Sequence, residues 1–171
     1  HAYHRRQRQM CIRDSHMVTA VLSRTIRNAE IFSKNLDNCK AYDNIDNFLE
    51  DEKIGAVYIA TPNNLHCIQT IKSIESKIPV LCEKPFAMNF EEANKMIECS
   101  KLNSTALLDG MWMRYLPHIA KLKDLLSKNT IGKVECIFAC HGQNLKWSDN
   151  PRLWTKELGG GALLDLSLIH I

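Results

Sequence analysis

A short apolar run that ends abruptly in an acid, a base and a proline most constrains the fold. Residues 78–82 form the run, and Glu83-Lys84-Pro85 follow it. Continuous apolar runs are typical of parallel strands covered by helices on both faces. Pro85 ends ladder pairing and biases Lys84 toward an extended backbone. The pattern predicts that Glu83 and Lys84 stand at the carboxyl end of a buried strand, where open α/β sheets bind ligands. The alternative is a solvated Glu-Lys pair at the start of a loop.

The same pattern recurs along the chain, because further apolar or β-branched runs also end in polar residues or glycine. These runs are 18–22, 55–60 and 105–108, followed respectively by Ser23-Arg24, by Thr61-Pro62-Asn63 and His66, and by Asp109-Gly110. Helical patterns lie between them. Four strands alternating with helices predict an α/β fold, a doubly wound (Rossmann) parallel sheet.

The predicted helices rest on apolar spacing and on capping residues. Leu65, Ile68, Ile71 and Ile74 are spaced by three and are expected to point inward. Asn89 is the expected N-cap of a helix to about Lys101. Three further helices are predicted: one with Ala29 and Phe32 on its apolar face, one over 45–51, and one from Leu116 to about Lys128. A strand is predicted over 133–140.

The first fifteen residues show neither helical nor strand periodicity, and both ends of the chain look like translated adapter sequence. We therefore expect 1–15 and 167–171 to be non-native tails, the alternative for the first being a genuine basic tail. The expected domains are a partial dinucleotide-binding domain over 16–111, and over 112–166 the start of an α+β substrate and dimerisation domain with a large sheet.

The net charge of +3 comes from the first fifteen residues, which hold four arginines and one aspartate. The remainder carries 18 basic and 18 acidic residues, so charge gives no reason to expect a nucleic-acid partner. No apolar run approaches the roughly 18 residues of a membrane span. The seven cysteines show no CxxC or metal-ligand spacing. Cys136 and Cys140 are expected to be small buried thiols, and the protein to be cytoplasmic.

Ser23 and Arg24 follow the first predicted strand, and a helix follows them. In complete dinucleotide-binding folds, the end of the second strand meets the adenosine ribose. An arginine at that strand end accommodates the 2′-phosphate of NADP, whereas an acid there receives the free 2′-hydroxyl of NAD. These residues favour NADP over NAD. A solvated turn arginine is the alternative.

Three motifs in order resemble the glucose–fructose oxidoreductase/inositol dehydrogenase (Gfo/Idh/MocA) family. They are Ala60-Thr61-Pro62-Asn63-x-x-His66, Glu83-Lys84-Pro85 and Gly159-Gly160-Gly161-Ala162-Leu163-x-Asp165. The stretches 80–85, 110–117 and Leu153-Trp154 are similar to its trans-1,2-dihydrobenzene-1,2-diol dehydrogenase/NADP-dependent D-xylose 1-dehydrogenase branch. The resemblance covers roughly 18–166.

The resemblance implies hydride transfer between a diol or sugar carbon and the nicotinamide of NADP. It makes Lys84 the catalytic residue, with Glu83 orienting that lysine or the nicotinamide. Thr61, Pro62, Asn63 and His66 would line the nicotinamide side together with Glu83, Lys84 and Pro85. The implied substrate residues are Trp112, Arg114, Trp154 and Asp165. Plain domain-interface packing is the alternative for the two tryptophans.

The sequence departs from the family pattern in two places. The family's first strand and its G-x-G-x-x-G phosphate loop, which would precede Val18, are missing, so that the run 18–22 corresponds to the second strand. In addition, Ser167-Leu168-Ile169 replace the Gly-x-His or Gly-x-Tyr expected after Asp165. His170 sits one position late and receives no role. We therefore expect this piece alone to be inactive, and the full-length protein to be a homodimeric enzyme. The alternatives are a non-catalytic NAD(P)- or sugar-binding member and a structural role.

Overall fold

The computed structural model of the chain describes residues 16–165 except 139, 141, 143, 145 and 147. The tails expected at 1–15 and 167–171 lie outside the described residues. Within the described residues, five short strands alternate with helices, which confirms the predicted α/β class. The strands are β1 (Ala20–Leu22), β2 (Lys40–Tyr42), β3 (Val57–Ile59), β4 (Val80–Cys82) and β5 (Leu107–Asp109).

All strand pairs are parallel, and they form two separate groups. β1 pairs with β2, and β3, β4 and β5 form a sheet in that order. In the three-stranded sheet, Ile59 is level with Cys82, and Cys82 is level with Asp109. The carboxyl ends of three strands therefore meet at one edge of the sheet, which we call the carboxyl edge.

In the described residues, four helices connect the strands at the places the sequence predicts, and the first two of these are shorter than predicted. Two further helices follow β5, and the second of them was not predicted. In chain order the helices are α1 (Ile26–Ser33), α2 (Ile45–Leu49), α3 (His66–Glu75), α4 (Phe90–Asn103), α5 (Pro117–Ser127) and α6 (Ala162–Asp165). Asn89 caps α4 as predicted, since its side-chain oxygen accepts from the Glu92 amide at 2.8 Å. Ser104 then ends α4 in the left-handed conformation.

The core lies between one face of the three-stranded sheet and the pair α3 and α4, which pack against each other. Ile59, Val80 and Cys82 point to this face, alternating with the half-exposed Tyr58 and Leu81, as strand geometry requires. Met96 and Ile74 close the core from the helix side, and both are fully buried.

The predicted inward face of α3 is wrong in part. Ile74 is buried, but Leu65 and Ile68 are exposed, by 37% and 57%. Steps of three residues advance 300° around a helix, so each step drifts by about 60° and three steps reach the opposite side. The buried residues of α3 are instead His66, Thr70, Ser73 and Ile74.

The strand predicted over 133–140 is also wrong, because residues 133–138 have no regular structure and no described strand pairs with them. Ile137 and Phe138 are 80% and 94% exposed. Cys136 and Cys140 are exposed rather than buried, which corrects the expectation for these two thiols. A strand forms only where a second strand supplies hydrogen-bond partners for its backbone. The residue pattern of one segment does not show whether such a second strand is present.

Among the described residues, no helix has the length and apolar character needed to cross a membrane.

Truncating Met96 tests the core. We expect Met96→Ala to lower the free energy of unfolding by roughly 2–5 kcal/mol, because it leaves a cavity in a fully buried site. Leu102→Ala on the same helix is the matched control, since Leu102 is 86% exposed. Urea unfolding measures both; equal losses would contradict this position of the core.

The acid stability of the β1–β2 part depends on Asp51. Its carboxylate accepts from the Lys53 amide at 3.1 Å and from the Tyr42 hydroxyl at 2.9 Å, and pairs with Lys40 at 3.0 Å. The Lys53 hydrogen bond first, then Lys40 and Tyr42, lower the pKa of Asp51 to about 2.

Because the pKa of Asp51 is lower in the folded state, its stabilisation is present above the unfolded value of about 3.9 and is lost as the pH falls toward 2. Asp51→Asn should therefore lower stability near neutral pH, and the gap to wild type should close toward pH 2. Urea unfolding across pH measures this. Asp37→Asn, at an exposed position, is the control and should have the same unfolding free energy as wild type at each pH. If the difference between Asp51→Asn and wild type stayed constant with pH, the carboxylate of Asp51 would not be the source of the stabilisation.

Candidate functional site

Lys84 lies at the carboxyl edge, directly after β4. Its Nζ donates to the main-chain oxygen of Asp165 at 2.5 Å and to the Asp165 carboxylate at 3.4 Å. The two side chains are 21% and 25% exposed. An ammonium group is therefore held at the edge of a parallel sheet, partly shielded from water and next to a carboxylate.

Glu83 fixes the backbone of the turn rather than the Lys84 ammonium group. One carboxylate oxygen accepts from the Tyr58 hydroxyl at 2.5 Å, and the other accepts from the Lys84 amide at 3.0 Å. The Glu83 amide in turn donates to the Ile59 carbonyl at 2.9 Å. Glu83 thus orients Lys84 through its main chain.

His66 joins the two turns of the carboxyl edge. Nδ1 lies 2.8 Å from the Pro85 carbonyl oxygen and Nε2 lies 3.0 Å from the Thr61 carbonyl oxygen. The side chain is 1% exposed. The imidazole therefore ties the turn after β3 to the turn after β4 beneath the surface where a ligand would bind.

Asn63 connects the carboxyl edge to the segment 150–165, which we call the docked segment. Its Nδ2 donates to the Gly159 carbonyl at 2.9 Å, and its Oδ1 accepts from Arg152 at 3.1 Å. Asn63 is 3% exposed, so both ends of a buried amide are satisfied by the docked segment. Thr61, two residues earlier, donates its hydroxyl to Gln69 at 2.7 Å.

The glycine run allows the docked segment to approach this closely. A Cβ at Gly159 would stand 2.7 Å from the Met88 sulfur and 2.8 Å from Asn63, and its φ is +74°. A Cβ at Gly160 would meet the Leu153 carbonyl oxygen at 2.7 Å. Only glycine fits these positions without a shift of the backbone or its neighbours.

Cys82 ends β4 beneath the same turn. Burial raises the pKa of its thiol to about 12. Because the thiolate is the nucleophilic form, Cys82 serves as a core residue.

The remaining predicted site residues lie around this centre or in the other sheet. Ser23 and Arg24 follow β1, with Arg24 exposed beside the N-terminus of α1, which Thr25 caps. Trp112 and Arg114 lie in an exposed turn after β5, and Trp154 lies in the docked segment. The two tryptophans are 50% and 56% exposed.

Sequence reasoning missed Tyr58 and Arg152. Strand alternation puts Tyr58 on the half-exposed face, level with Leu81, which was readable from the sequence. The hydrogen bond from Tyr58 to Glu83 could not be predicted from the sequence, because it depends on the register between β3 and β4. Nothing in the spacing around Arg152 indicates its contact with Asn63.

In the described part of the chain, His, Cys, Asp and Glu side chains form no group of three that could hold a metal ion.

Comparison with known proteins agrees with the motif order and the parallel sheet. The sequence model of the GFO_IDH_MocA oxidoreductase family, with an NAD-binding Rossmann fold, matches residues 1–109. The chain belongs to the Gfo/Idh/MocA family. It is 34% identical over 158 residues to trans-1,2-dihydrobenzene-1,2-diol dehydrogenase of Danio rerio, covering 92% of this chain and 47% of that protein.

Two further proteins support this placement in the Gfo/Idh/MocA family. D-xylose 1-dehydrogenase (NADP(+)) of Hypocrea jecorina is 32% identical, with 90% of this chain and 42% of that protein covered. The 3-ketoreductase KijD10 of Actinomadura kijaniata, solved with NADP and TDP-benzene, superposes with a TM-score of 0.77 at 25% identity, covering 88% and 46% of the two chains. The chain thus spans about half the length of the curated relatives it matches.

The described residues fit two ends of the dinucleotide that the family binds. The exposed Arg24 guanidinium, beside a helix N-terminus, suits a 2′-phosphate, since guanidinium binds phosphate through paired N–H donors. The turns after β3 and β4 offer the nicotinamide end a rigid edge with one ammonium group. Among the described residues, no glycine-rich loop joins a strand to a helix to hold the pyrophosphate.

Two glycine substitutions test the docking of the glycine run. Gly159→Ala combines a left-handed φ with contacts to Met88 and Asn63, so we expect roughly 2–4 kcal/mol of destabilisation. Gly161→Ala is the control: its φ is also positive, at +107°, but its Cβ meets nothing within 4 Å, so only backbone strain of roughly 1–2 kcal/mol is expected.

Thermal unfolding and hydrogen exchange at residues 159–165 measure the outcome. Loss of protection in Gly159→Ala beyond that in Gly161→Ala supports the docked arrangement. Equal effects would show that Gly159 matters only for its backbone conformation.

Proposed function

We propose that the whole protein containing this chain is an NADP-dependent dehydrogenase that transfers hydride between a CH–OH carbon of a diol or sugar and the nicotinamide. The observation that carries the proposal is Lys84, an ammonium group held against Asp165 at the carboxyl edge of a parallel sheet. Open α/β folds bind their ligands at that edge.

Lys84 is proposed as the catalytic residue. Oxidation of an alcohol removes a hydride from carbon and a proton from oxygen, so negative charge develops on the oxygen. In carbonyl reduction, an N–H of the Lys84 ammonium group, hydrogen-bonded to that oxygen, stabilises the charge and delivers the proton, which leaves a neutral amine. In alcohol oxidation the neutral amine accepts the proton from the oxygen and becomes the ammonium group that stabilises it. Bound NADP supplies the nicotinamide carbon that accepts or gives the hydride.

The other residues of the carboxyl edge position this chemistry. Thr61, Pro62 and Glu83 are proposed to line the nicotinamide side, whereas Pro85, which the sequence also suggested for this lining, is fully buried. Asn63 and His66 support that lining from below, because their polar atoms are engaged by Gly159, Arg152 and backbone carbonyl oxygens. Hydrogen bonds tie these turns to one another, which favours hydride transfer because reacting atoms must be held close and aligned.

NADP rather than NAD is proposed as the cofactor. Arg24 provides a cation at the strand end that meets the adenosine ribose in dinucleotide-binding folds, and Ser23 stands next to it. In support, the xylose dehydrogenase relative carries NADP in its name, and KijD10 was solved with NADP bound.

The proposed substrate is a trans-dihydrodiol or D-xylose, the classes named for the relatives. Trp112 and Trp154 offer indole faces for the C–H surface of a sugar ring. Arg114 is proposed to donate to substrate hydroxyls and Asp165 to accept from them.

A homodimer in the cytoplasm is proposed for the whole protein. Six cysteines in the described residues are free thiols, which suits a reducing compartment. The apolar residues of α5, with Leu122 49% exposed, leave surface for a partner subunit to cover.

A non-catalytic NAD(P)- or sugar-binding protein is the second candidate. Binding alone does not require an ammonium group at the reacting centre, so the Lys84 arrangement favours the enzyme.

Lys84→Met in the whole protein separates the two candidates. We expect turnover of diol or xylose to fall by a factor of roughly 10² or more, because the group that stabilises the reacting oxygen is lost. NADP affinity should change little; fluorescence titration measures it and absorbance at the nicotinamide band measures turnover. Lys95→Met, an exposed position on α4, is the charge-matched control.

Lost turnover with retained NADP binding supports the dehydrogenase. A wild-type protein that binds NADP without turning over either substrate class would favour the binding protein instead.

A further inference from the structure

Arg152 is the second cation at the carboxyl edge. Its Nη1 donates to the Asn63 Oδ1 at 3.1 Å, and its Nη2 lies 4.0 Å from the Asp165 carboxylate. The same carboxylate oxygen of Asp165 lies 3.4 Å from the Lys84 Nζ. One acid therefore stands between two cations, and one of these is the proposed catalytic ammonium group.

The backbone holds Arg152 in this place. It lies in a short turn, Pro151–Trp154, and the Gly161 amide donates to the Leu153 carbonyl at 2.8 Å. A Cβ at Gly160 would stand 2.8 Å from the Arg152 carbonyl oxygen, so the glycine run packs directly on this turn. The guanidinium thus starts from a fixed backbone, although its side chain is 43% exposed.

The Asn63 amide sets the direction of the guanidinium. Its Nδ2 is used by the Gly159 carbonyl, so its Oδ1 must face Arg152. A guanidinium has several N–H donors in one plane, so one nitrogen can bond Asn63 while another faces Asp165. A lysine ammonium is a single point charge and cannot hold both partners in this way.

We infer that Arg152 is a positioning residue that holds Asp165 beside Lys84, with Asn63 as its anchor on the sheet. This inference rests on the proposed function for its catalytic consequence, but the contact itself is independent of it. Without the guanidinium, Asp165 keeps one cation partner instead of two. Lys84 is then left with a less ordered acceptor, and its ammonium group spends more time exposed to water.

Lysine acetylation tests the contact in this chain. Peptide mass spectrometry after brief treatment with an acetylating reagent gives a rate for each lysine. Arg152→Ala should raise the rate at Lys84 by roughly two- to five-fold, the range expected when a partly exposed ion pair is lost. Lys72 and Lys95 serve as internal standards, and Arg27→Ala, another exposed arginine, is the matched control.

Turnover and chemical rescue test the role in the whole protein. Arg152→Ala should lower kcat by roughly ten- to a hundred-fold with NADP affinity unchanged, as expected for a displaced catalytic group. Added guanidinium chloride at about 50 mM, far below the denaturing range, should restore part of kcat. Methylammonium chloride should not, and Arg152→Lys should remain impaired. A purely structural loss would not be rescued by guanidinium.

The two measurements separate the two claims. An unchanged acetylation rate at Lys84 in Arg152→Ala overturns the positioning role, whatever the enzyme does. If the acetylation rate at Lys84 rises in Arg152→Ala but the wild-type whole protein oxidises neither substrate class, the contact of Arg152 with Asp165 is supported and the proposed function is rejected. A raised rate with a kcat that guanidinium does not rescue would limit Arg152 to stabilising the docked segment, and would also overturn its positioning role.

Discussion

The parallel register of β3, β4 and β5 is the constraint on which the site depends. Because Ile59, Cys82 and Asp109 are level, the loops that follow them start from one edge. Gly110 shows how tight this is: a Cβ there would stand 2.9 Å from the Cys82 carbonyl oxygen. A shift of register by one residue would turn Tyr58 inward and separate it from Glu83.

Buried polar side chains then convert the edge into a rigid surface. Asn63 and His66 are among the least exposed of the described residues. Asn63 donates to the Gly159 carbonyl and accepts from Arg152, and the ring nitrogens of His66 lie 2.8 and 3.0 Å from the Pro85 and Thr61 carbonyl oxygens. Leaving such groups unpaired costs free energy, so a position that satisfies them is strongly preferred. The motif residues of the family are thus partly architectural. Glu83 fixes the main chain of Lys84, and His66 holds the neighbouring turn.

Much of this could be predicted from the sequence. Apolar runs ending in polar residues predicted β1, β3, β4 and β5, but not β2, whose residues Lys40–Tyr42 form no apolar run. Asn89 was readable as a cap because capping is a local interaction. The inward face of α3 failed because a spacing of three drifts around the helix. The strand at 133–140 failed because pairing depends on partners far along the chain. Arg152 could not be found, since its contact spans 89 residues and leaves no periodic signal.

The separation in sequence of the site's halves determines when the site can form. The sheet is built from neighbouring elements, whereas Lys84 meets Asp165 across 81 residues and Asn63 meets Gly159 across 96. Closing such long loops costs chain entropy before any contact repays it. The docked segment therefore settles only after the sheet offers Asn63 and Lys84 in place. We therefore expect the contacts of Lys84 and Asn63 with the docked segment to form after the sheet during folding and to be lost before it on unfolding.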